Sequence, residues 1–118
     1  MNLALLLIIV PDLARAKDFY GATLGFALKS ETSERLIFAQ GGADLVIFRG
    51  TTGAPPAIHG QAASTTFVFA VPSLAAAMRD LTSKGVPFLH ETPARNEFGR
   101  YAAFRDPFGN VLELLERG

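Results

Sequence analysis

The sequence has 118 residues, of which 49% are apolar, and its eleven basic and eleven acidic side chains leave no net charge. This length and apolar content predict one compact domain, or two small modules sharing a core, and argue against a disordered chain. The absence of cysteine excludes disulfides, thiolate metal sites and a cysteine nucleophile. The balanced charge gives no indication of a nucleic-acid partner.

The N-terminal segment Leu3–Val10 is a continuous apolar run that ends at Pro11. A secretory signal normally has Lys or Arg before its apolar run, and this run has neither. The run is also too short to span a bilayer. We therefore predict a buried strand. Together with the absence of cysteine, the lack of a secretory signal or membrane span in this segment predicts a cytoplasmic protein with no membrane partner.

The pattern after this strand predicts one helix and three further strands. Asp12 stands where a helix N-cap is expected, and apolar residues then recur at helical spacing from Leu13 to Tyr20. Gly21 and Gly25 are predicted to end the helix. The three strands are predicted at Phe26–Leu28, Arg35–Ala39 and Asp44–Phe48.

The second half of the chain repeats this order. We predict module one at residues 1–50, a Pro/Gly-rich linker at 51–64, and module two at 65–118, all within a single domain. In module two, Ser73 is the predicted helix N-cap and Gly85 the predicted helix end. The strands are predicted at Thr65–Val71, Val86–His90 and in a hairpin from Arg100 to Glu116.

The last hairpin turns at Asp106–Asn110, where Pro107, Gly109 and Asn110 favour a tight turn. If Asp106 and Asn110 close this turn, Ala103 faces Glu113. The same register places Arg105 opposite Val111 and Tyr101 opposite Leu115.

The two halves also match in sequence. The segment Val10–Tyr20 shares Val, Pro, Leu and two Ala with Val71–Leu81, which lies 61 residues later, and Gly42–Phe48 corresponds to Gly109–Leu115. Internal duplication explains both matches. The alternative is two unrelated α+β units with similar helix caps.

Three motifs resemble the vicinal oxygen chelate superfamily: V-P-D-L-x-x-A-x-x-F-Y from Val10, L-G-F from Leu24, and F-R-D-P-F-G-N-V-L-E-L from Phe104. That superfamily includes glyoxalase I, bleomycin-resistance proteins, fosfomycin-resistance transferases and extradiol dioxygenases. The resemblance implies an α+β fold of two βαβββ modules, whose curled mixed sheets surround a cavity. It also implies a homodimer.

In the catalytic members of this superfamily, four strand positions carry His, Gln or Glu and bind a divalent ion. The resemblance maps these positions to Leu5, Val46, Thr66 and Glu113, of which only Glu113 matches. One carboxylate does not hold a catalytic ion. We therefore predict no metal and no cofactor.

The predicted ligand-binding cavity follows from strand alternation around these positions. Glu113 is interpreted as a relic metal ligand, a general base, an acceptor that orients the ligand, or the ion-pair partner of Arg105. The predicted apolar and hydroxyl lining comprises Leu5, Leu7, Val46, Thr66, Val68 and Leu115.

Three other positions are candidates. His90 is the second candidate catalytic residue after Glu113, with a partly exposed structural His as the alternative, and His59 in the linker is interpreted as solvated. In the segment before the last hairpin, Phe98 could stack on a flat ligand and Arg100 could hold an anionic group. The alternative is an ordinary surface loop.

The favoured function is a metal-free binding protein that sequesters or carries a small apolar or aromatic compound. The alternative is a lyase, isomerase or dioxygenase-like enzyme of the same superfamily, metal-dependent or metal-free. A third hypothesis is an accessory subunit whose sheet binds another protein.

Overall fold

A computed structural model describes residues 3–50 and 66–118. The chain divides into two compact units, Met1–Ala54 and Pro55–Gly118. The predicted linker at 51–64 lies outside the described residues. Each unit contains a four-stranded mixed sheet and one helical segment, and the predicted α+β fold of two βαβββ modules is confirmed.

The first unit forms a sheet with the spatial order β1-β4-β3-β2. Strand β1 runs parallel to β4, and the other neighbours are antiparallel. The strands are β1 (Leu5–Val10), β2 (Ala27–Glu31), β3 (Arg35–Ala39) and β4 (Asp44–Arg49).

The helix of the first unit begins as predicted and continues further than predicted. The side chain of Asp12 accepts a hydrogen bond from the Arg15 N–H at 3.0 Å. Helix α1 (Leu13–Ala16) passes directly into a π-helical segment, Lys17–Thr23. The prediction that Gly21 ends the helix is wrong, because the helical segment continues through Gly21 to Thr23, with the neighbouring Tyr20 packed against Phe38. The helix instead ends before Gly25, which has a φ of 78°.

The second unit repeats this topology, with the spatial order β5-β8-β7-β6 and β5 parallel to β8. Ser73 caps the helix by accepting the Ala76 N–H at 3.2 Å, and Gly85 follows the helix with a φ of 85°. Both features are as predicted. The elements are β5 (Phe67–Ala70), α2 (Leu74–Ser83), β6 (Ala94–Asn96), β7 (Gly99–Arg105) and β8 (Val111–Arg117).

The edge strand of this second sheet differs from the prediction. Within Val86–His90 only Phe88 forms a bridge, to Phe104, and the regular edge strand is β6. The predicted loop at Asn96–Arg100 is a tight hairpin in which Asn96 pairs with Gly99. Beside Phe88, the Ala103 N–H of β7 donates to the side chain of His90 rather than to a strand backbone.

The last hairpin has the predicted register, with Ala103 opposite Glu113. Asp106 is buried, and its Oδ1 accepts the N–H groups of Phe108 at 2.9 Å and Asn110 at 2.8 Å. Gly109 has a φ of 89°, a conformation that glycine adopts without steric cost. The turn therefore forms where the sequence places it.

Each unit has its own buried side chains between helix and sheet. In the first unit, Tyr20 packs with Phe26 and Phe38 at ring-centroid distances of 6.1 and 6.3 Å. In the second unit, Leu74 and Phe104 are fully buried. Burying a side chain of this size contributes about 1.5–3 kcal/mol to stability.

Candidate functional site

One face of the first sheet is apolar and open, and it contains the predicted ligand-binding residues of this unit. Along β1, Leu5, Leu7 and Ile9 are 44%, 48% and 61% exposed, whereas Ile8 and Val10 are buried on the other face. Leu7 pairs with Val46, and Ile9 pairs with Phe48, which is 40% exposed. We call this surface the Leu7 face and define it by Leu5, Leu7, Ile9, Val46 and Phe48.

The corresponding surface of the second sheet carries Glu113. Val68 pairs with Glu113, and Ala70 pairs with Leu115. On the other side of β8, Ala103 lies opposite Glu113 and Tyr101 lies opposite Leu115. We call this surface the Glu113 face and define it by Val68, Ala70, Tyr101, Ala103, Glu113 and Leu115.

The two faces occupy equivalent positions in their units. The pair Leu7–Val46 in the first sheet corresponds to Val68–Glu113 in the second, because both join the first and last strands of a module. Thr66 immediately precedes β5 and is half-buried. The structure therefore places Leu5, Leu7 and Val46 on one face of the first unit, and Val68, Glu113 and Leu115 on one face of the second.

The sequence analysis missed a carboxylate beside the Leu7 face. Asp44 pairs with Leu5, and its Oδ2 accepts a hydrogen bond from the Lys29 Nζ at 2.8 Å. Asp44 lies two residues before Val46 on the same strand, so alternation alone would have placed it on this face. Lys29 therefore forms an ion pair with the Asp44 carboxylate.

Glu113 lies at the centre of its face and is half-buried. Its diagonal neighbours on β7 are Tyr101 and Arg105, on either side of Ala103. Diagonal positions are within reach of long side chains. The register thus allows the predicted ion pair between Glu113 and Arg105, which stays a prediction.

His90 contacts the edge of the same sheet. Its Nε2 accepts the backbone N–H of Ala103 at 2.7 Å, and its ring lies 6.0 Å from the Tyr101 ring. An accepting Nε2 means that the ring is neutral with its proton on Nδ1. Because Nε2 completes the hydrogen bonding of the sheet, this contact favours the structural interpretation of His90 over the catalytic one.

Two predicted ligand-binding residues are not brought to the Glu113 face. Phe98 lies in the turn between β6 and β7 and is 63% exposed. Arg100 lies on the opposite face of the sheet, where its Nη1 is 3.7 Å from Oε2 of Glu116. The other carboxylate oxygen of Glu116 accepts the Leu74 N–H at the start of α2 at 2.8 Å. Arg100 therefore belongs to the α2 side of the sheet. His59 lies outside the described residues.

The residues at the superfamily's metal-binding positions do not fit a divalent ion. Leu5 and Val46 have no donor atoms, and the other two positions offer one hydroxyl, of Thr66, and one carboxylate, of Glu113. Residues 3–50 and 66–118 contain no group of three or more His, Asp or Glu side chains that could hold a metal. A hard divalent cation gives up its water only for several oxygen or nitrogen ligands.

In residues 3–50 and 66–118, no helix has the length and apolar character needed to cross a membrane.

Comparison with known proteins identifies relatives of this fold. Residues 2–114 match the family described as the Glyoxalase/Bleomycin resistance protein/Dioxygenase superfamily. No curated protein matches the chain.

Similar solved structures include binding proteins and enzymes. An antibiotic-binding protein, TnmS3, from Streptomyces sp. CB03234 is 27% identical with a TM-score of 0.70, and the match covers 100% of this chain and 99% of that one. A lactoylglutathione lyase from Agrobacterium tumefaciens is 22% identical, with a TM-score of 0.75 and coverage of 98% and 92%. The fosfomycin resistance protein FosX from Listeria monocytogenes, solved with Mn(II) and a dihydroxypropylphosphonic acid, is 19% identical, with a TM-score of 0.79 and coverage of 99% and 90%.

Proposed function

The chain belongs to the Glyoxalase/Bleomycin resistance protein/Dioxygenase superfamily, and from this premise we propose that it is a metal-free protein that binds a small apolar or aromatic compound. The compound is sequestered or carried rather than converted. The observation that carries the proposal is that two of the superfamily's four metal-binding positions, Leu5 and Val46, offer no donor atom, and that Leu5 lies on an exposed apolar face.

The Leu7 face supports this proposal by its exposed apolar area. Leu5, Leu7, Ile9 and Phe48 are each at least 40% exposed, although burying such side chains is favourable. Contiguous exposed apolar residues on one sheet face are typical of ligand or partner sites. This surface would contribute most of the binding free energy for an apolar ligand.

The Glu113 face of the second unit carries a polar group that could orient a ligand. A binding site that is mostly apolar usually contains a few polar groups that fix the ligand, and Glu113 is a hydrogen-bond acceptor in the middle of its face. The proposed ligand contacts are Leu5, Leu7, Val46, Thr66, Val68, Glu113 and Leu115, with Phe98 as an exposed aromatic of the second unit. Arg100 is removed from this set because it faces α2.

The relationship to TnmS3 supports a binding function. That protein is described as antibiotic-binding, and the match with it extends over the whole of both chains. The lyase and FosX are less than 25% identical to this chain and bear on its fold alone.

Calorimetric titration with Mn²⁺, Ni²⁺ and Zn²⁺ tests the metal-free part of the proposal. We expect no binding in the micromolar range to the parent protein, because one carboxylate and one hydroxyl cannot replace the hydration shell of these ions. The matched variants are Glu113→Ala and Glu97→Ala, the second of which removes an exposed carboxylate from the β6–β7 turn. Micromolar binding that Glu113→Ala abolishes and Glu97→Ala retains would overturn the proposal.

Native mass spectrometry of the purified protein tests ligand binding directly. We expect a co-purified apolar or aromatic compound of low mass, which denaturation releases. Its loss in Leu7→Glu and retention in Ala75→Glu, an exposed position on α2, would assign it to the Leu7 face. Equal retention by both variants would place the compound elsewhere.

An enzyme of the same superfamily is the second candidate. The observation that favours it is the carboxylate of Glu113 with Tyr101 and Arg105 as diagonal neighbours, since such a carboxylate could act as a general base. Chemical conversion of the co-purified compound that is lost in Glu113→Gln would favour this candidate over a binder.

The proposal further includes a homodimer in the cytoplasm, with no nucleic-acid or membrane partner.

A further inference from the structure

A groove with a volume of about 280 Å³ lies in the second unit, between α2 and the segment 86–91. It is separate from the Glu113 face. Phe88, which contributes to the groove, pairs with Phe104, and the side chain of Phe104 lies on the opposite side of β7 from Ala103. The groove therefore belongs to the α2 side of the sheet.

Hydrogen bonds fix the wall of this groove at both ends. The Val86 N–H donates to the Leu81 carbonyl at 3.0 Å, which ties the start of the segment to α2. The Leu89 N–H donates to the Ala103 carbonyl at 2.8 Å, and Nε2 of His90 accepts the Ala103 N–H. These contacts hold the wall in place without a ligand, so that binding would require little ordering of the chain.

Most of the lining is apolar. The ring of Phe88 is held 5.5 Å from the ring of Phe104, and Met78 reaches the groove from α2. Methionine adapts its shape to aromatic partners and contacts them favourably through sulfur. The apolar lining residues are Met78, Val86, Pro87, Phe88 and Leu89.

The remaining lining residues are Thr82, His90 and Glu91, and the carboxylate of Glu91 makes the groove negative. Because Nε2 of His90 accepts a hydrogen bond, its ring is neutral, and Glu91 contributes the one formal charge of the lining. In the described part of the chain, no residue forms a hydrogen bond or ion pair with the side chain of Thr82 or Glu91. Lys84, close to Thr82 in sequence, pairs with Asp80 at 3.2 Å.

We propose that this groove binds a small organic cation, an aromatic ring that carries one ammonium group on a short chain. The ring packs on Phe88 and Met78, and the ammonium group approaches Glu91. The volume is slightly below the usual range for ligand pockets, which suits one ring rather than a larger ligand. An open groove and a ligand of this size give a dissociation constant on the order of 1 mM.

Titration of the ¹⁵N-labelled full chain, followed by two-dimensional NMR, tests the inference with three probes of similar size. These are phenethylammonium, neutral 2-phenylethanol and the anion 3-phenylpropionate. We expect phenethylammonium to shift the amide signals of Thr82, Leu89 and Glu91 in a saturable way. 2-Phenylethanol should bind about fivefold more weakly, and 3-phenylpropionate more weakly still, since a partly exposed ion pair contributes up to about 1 kcal/mol.

Two variants separate the charge of Glu91 from the net charge of the protein. Glu91→Gln should lower the affinity for phenethylammonium about fivefold, to the affinity for 2-phenylethanol. Glu97→Gln should leave the affinity for phenethylammonium unchanged. Both residues are exposed, so both variants retain the fold. Equal affinities for the three probes, equal effects of the two variants, or no shifts in these amides would each overturn the inference. The outcome is independent of the proposed function, because the groove and the Glu113 face share no lining residue.

Discussion

The polar side chains of His90 and Asp106 accept hydrogen bonds from the backbone. Asp106 is buried in the last turn and accepts two N–H groups and the side-chain amide of Asn110. Nε2 of His90 accepts a hydrogen bond from the N–H of Ala103, and Ala103 is fully buried. A buried N–H without an acceptor is costly, so the polar side chain at each position stabilises the fold.

Removing the acceptor at position 90 should destabilise the protein. We expect His90→Ala to lower the free energy of unfolding by about 1–3 kcal/mol, because the Ala103 N–H would be left unsatisfied. His90→Gln keeps an acceptor and should recover part of this loss. Urea denaturation monitored by circular dichroism measures both values. A change of less than about 0.5 kcal/mol in His90→Ala would show that the hydrogen bond contributes little.

At the scale of the element, the β6–β7 hairpin shows how the backbone of a neighbouring strand can require glycine at one position. Gly99 has a φ of 141°, and a Cβ at this position would lie 2.2 Å from the backbone oxygen of Glu116 on β8. Backbone atoms cannot move aside as a flexible side chain can. The close approach of β7 and β8 at this point therefore requires glycine.

Gly99→Ala should separate the ends of β7 and β8. We expect a loss of at least about 2 kcal/mol in the free energy of unfolding, from the clash and from the unfavourable φ. Gly42→Ala is the matched control, since its Cβ would meet no atom within 4 Å and its φ is not positive. Thermal denaturation of the two variants provides the comparison. Similar melting temperatures would contradict the close contact.

At the scale of the whole molecule, the described residues leave many large apolar side chains exposed. Ile9 is 61% exposed, and Leu7 and Val68 are about half exposed. Strand β1 is also an edge strand of its sheet and carries no charge that would prevent pairing. Such surfaces in a chain of 118 residues favour symmetric association.

Sedimentation velocity tests the predicted homodimer. We expect a single species with the mass of two chains at tens of micromolar and dissociation on dilution. Ile9→Glu should shift the equilibrium towards the monomer, because it places a charge on the exposed apolar strand, whereas Ala75→Glu adds the same charge on α2 and should not. A parent protein that sediments as a monomer at every concentration would rule out the homodimer.

The sequence by itself determined the features that depend on residues close in the chain. The caps at Asp12 and Ser73, the turn at Asp106–Asn110 and the register that pairs Ala103 with Glu113 were all predicted and confirmed. Each depends on a side chain that bonds to backbone two to four residues away, or on a glycine that tolerates positive φ. The internal repeat predicted the two-module fold in the same way, because both copies carry these local signals.

Only the tertiary structure decided where non-local contacts override the local pattern. The helix continues through Gly21, where the neighbouring Tyr20 packs on Phe38. The regular edge strand lies at Ala94–Asn96 rather than Val86–His90, and the side chain of His90 accepts the Ala103 N–H. The hairpin at Asn96–Gly99 likewise turns Arg100 towards Glu116, away from Glu113. These outcomes depend on which strand lies beside another, and a one-residue change in pairing reverses the face on which a side chain lies.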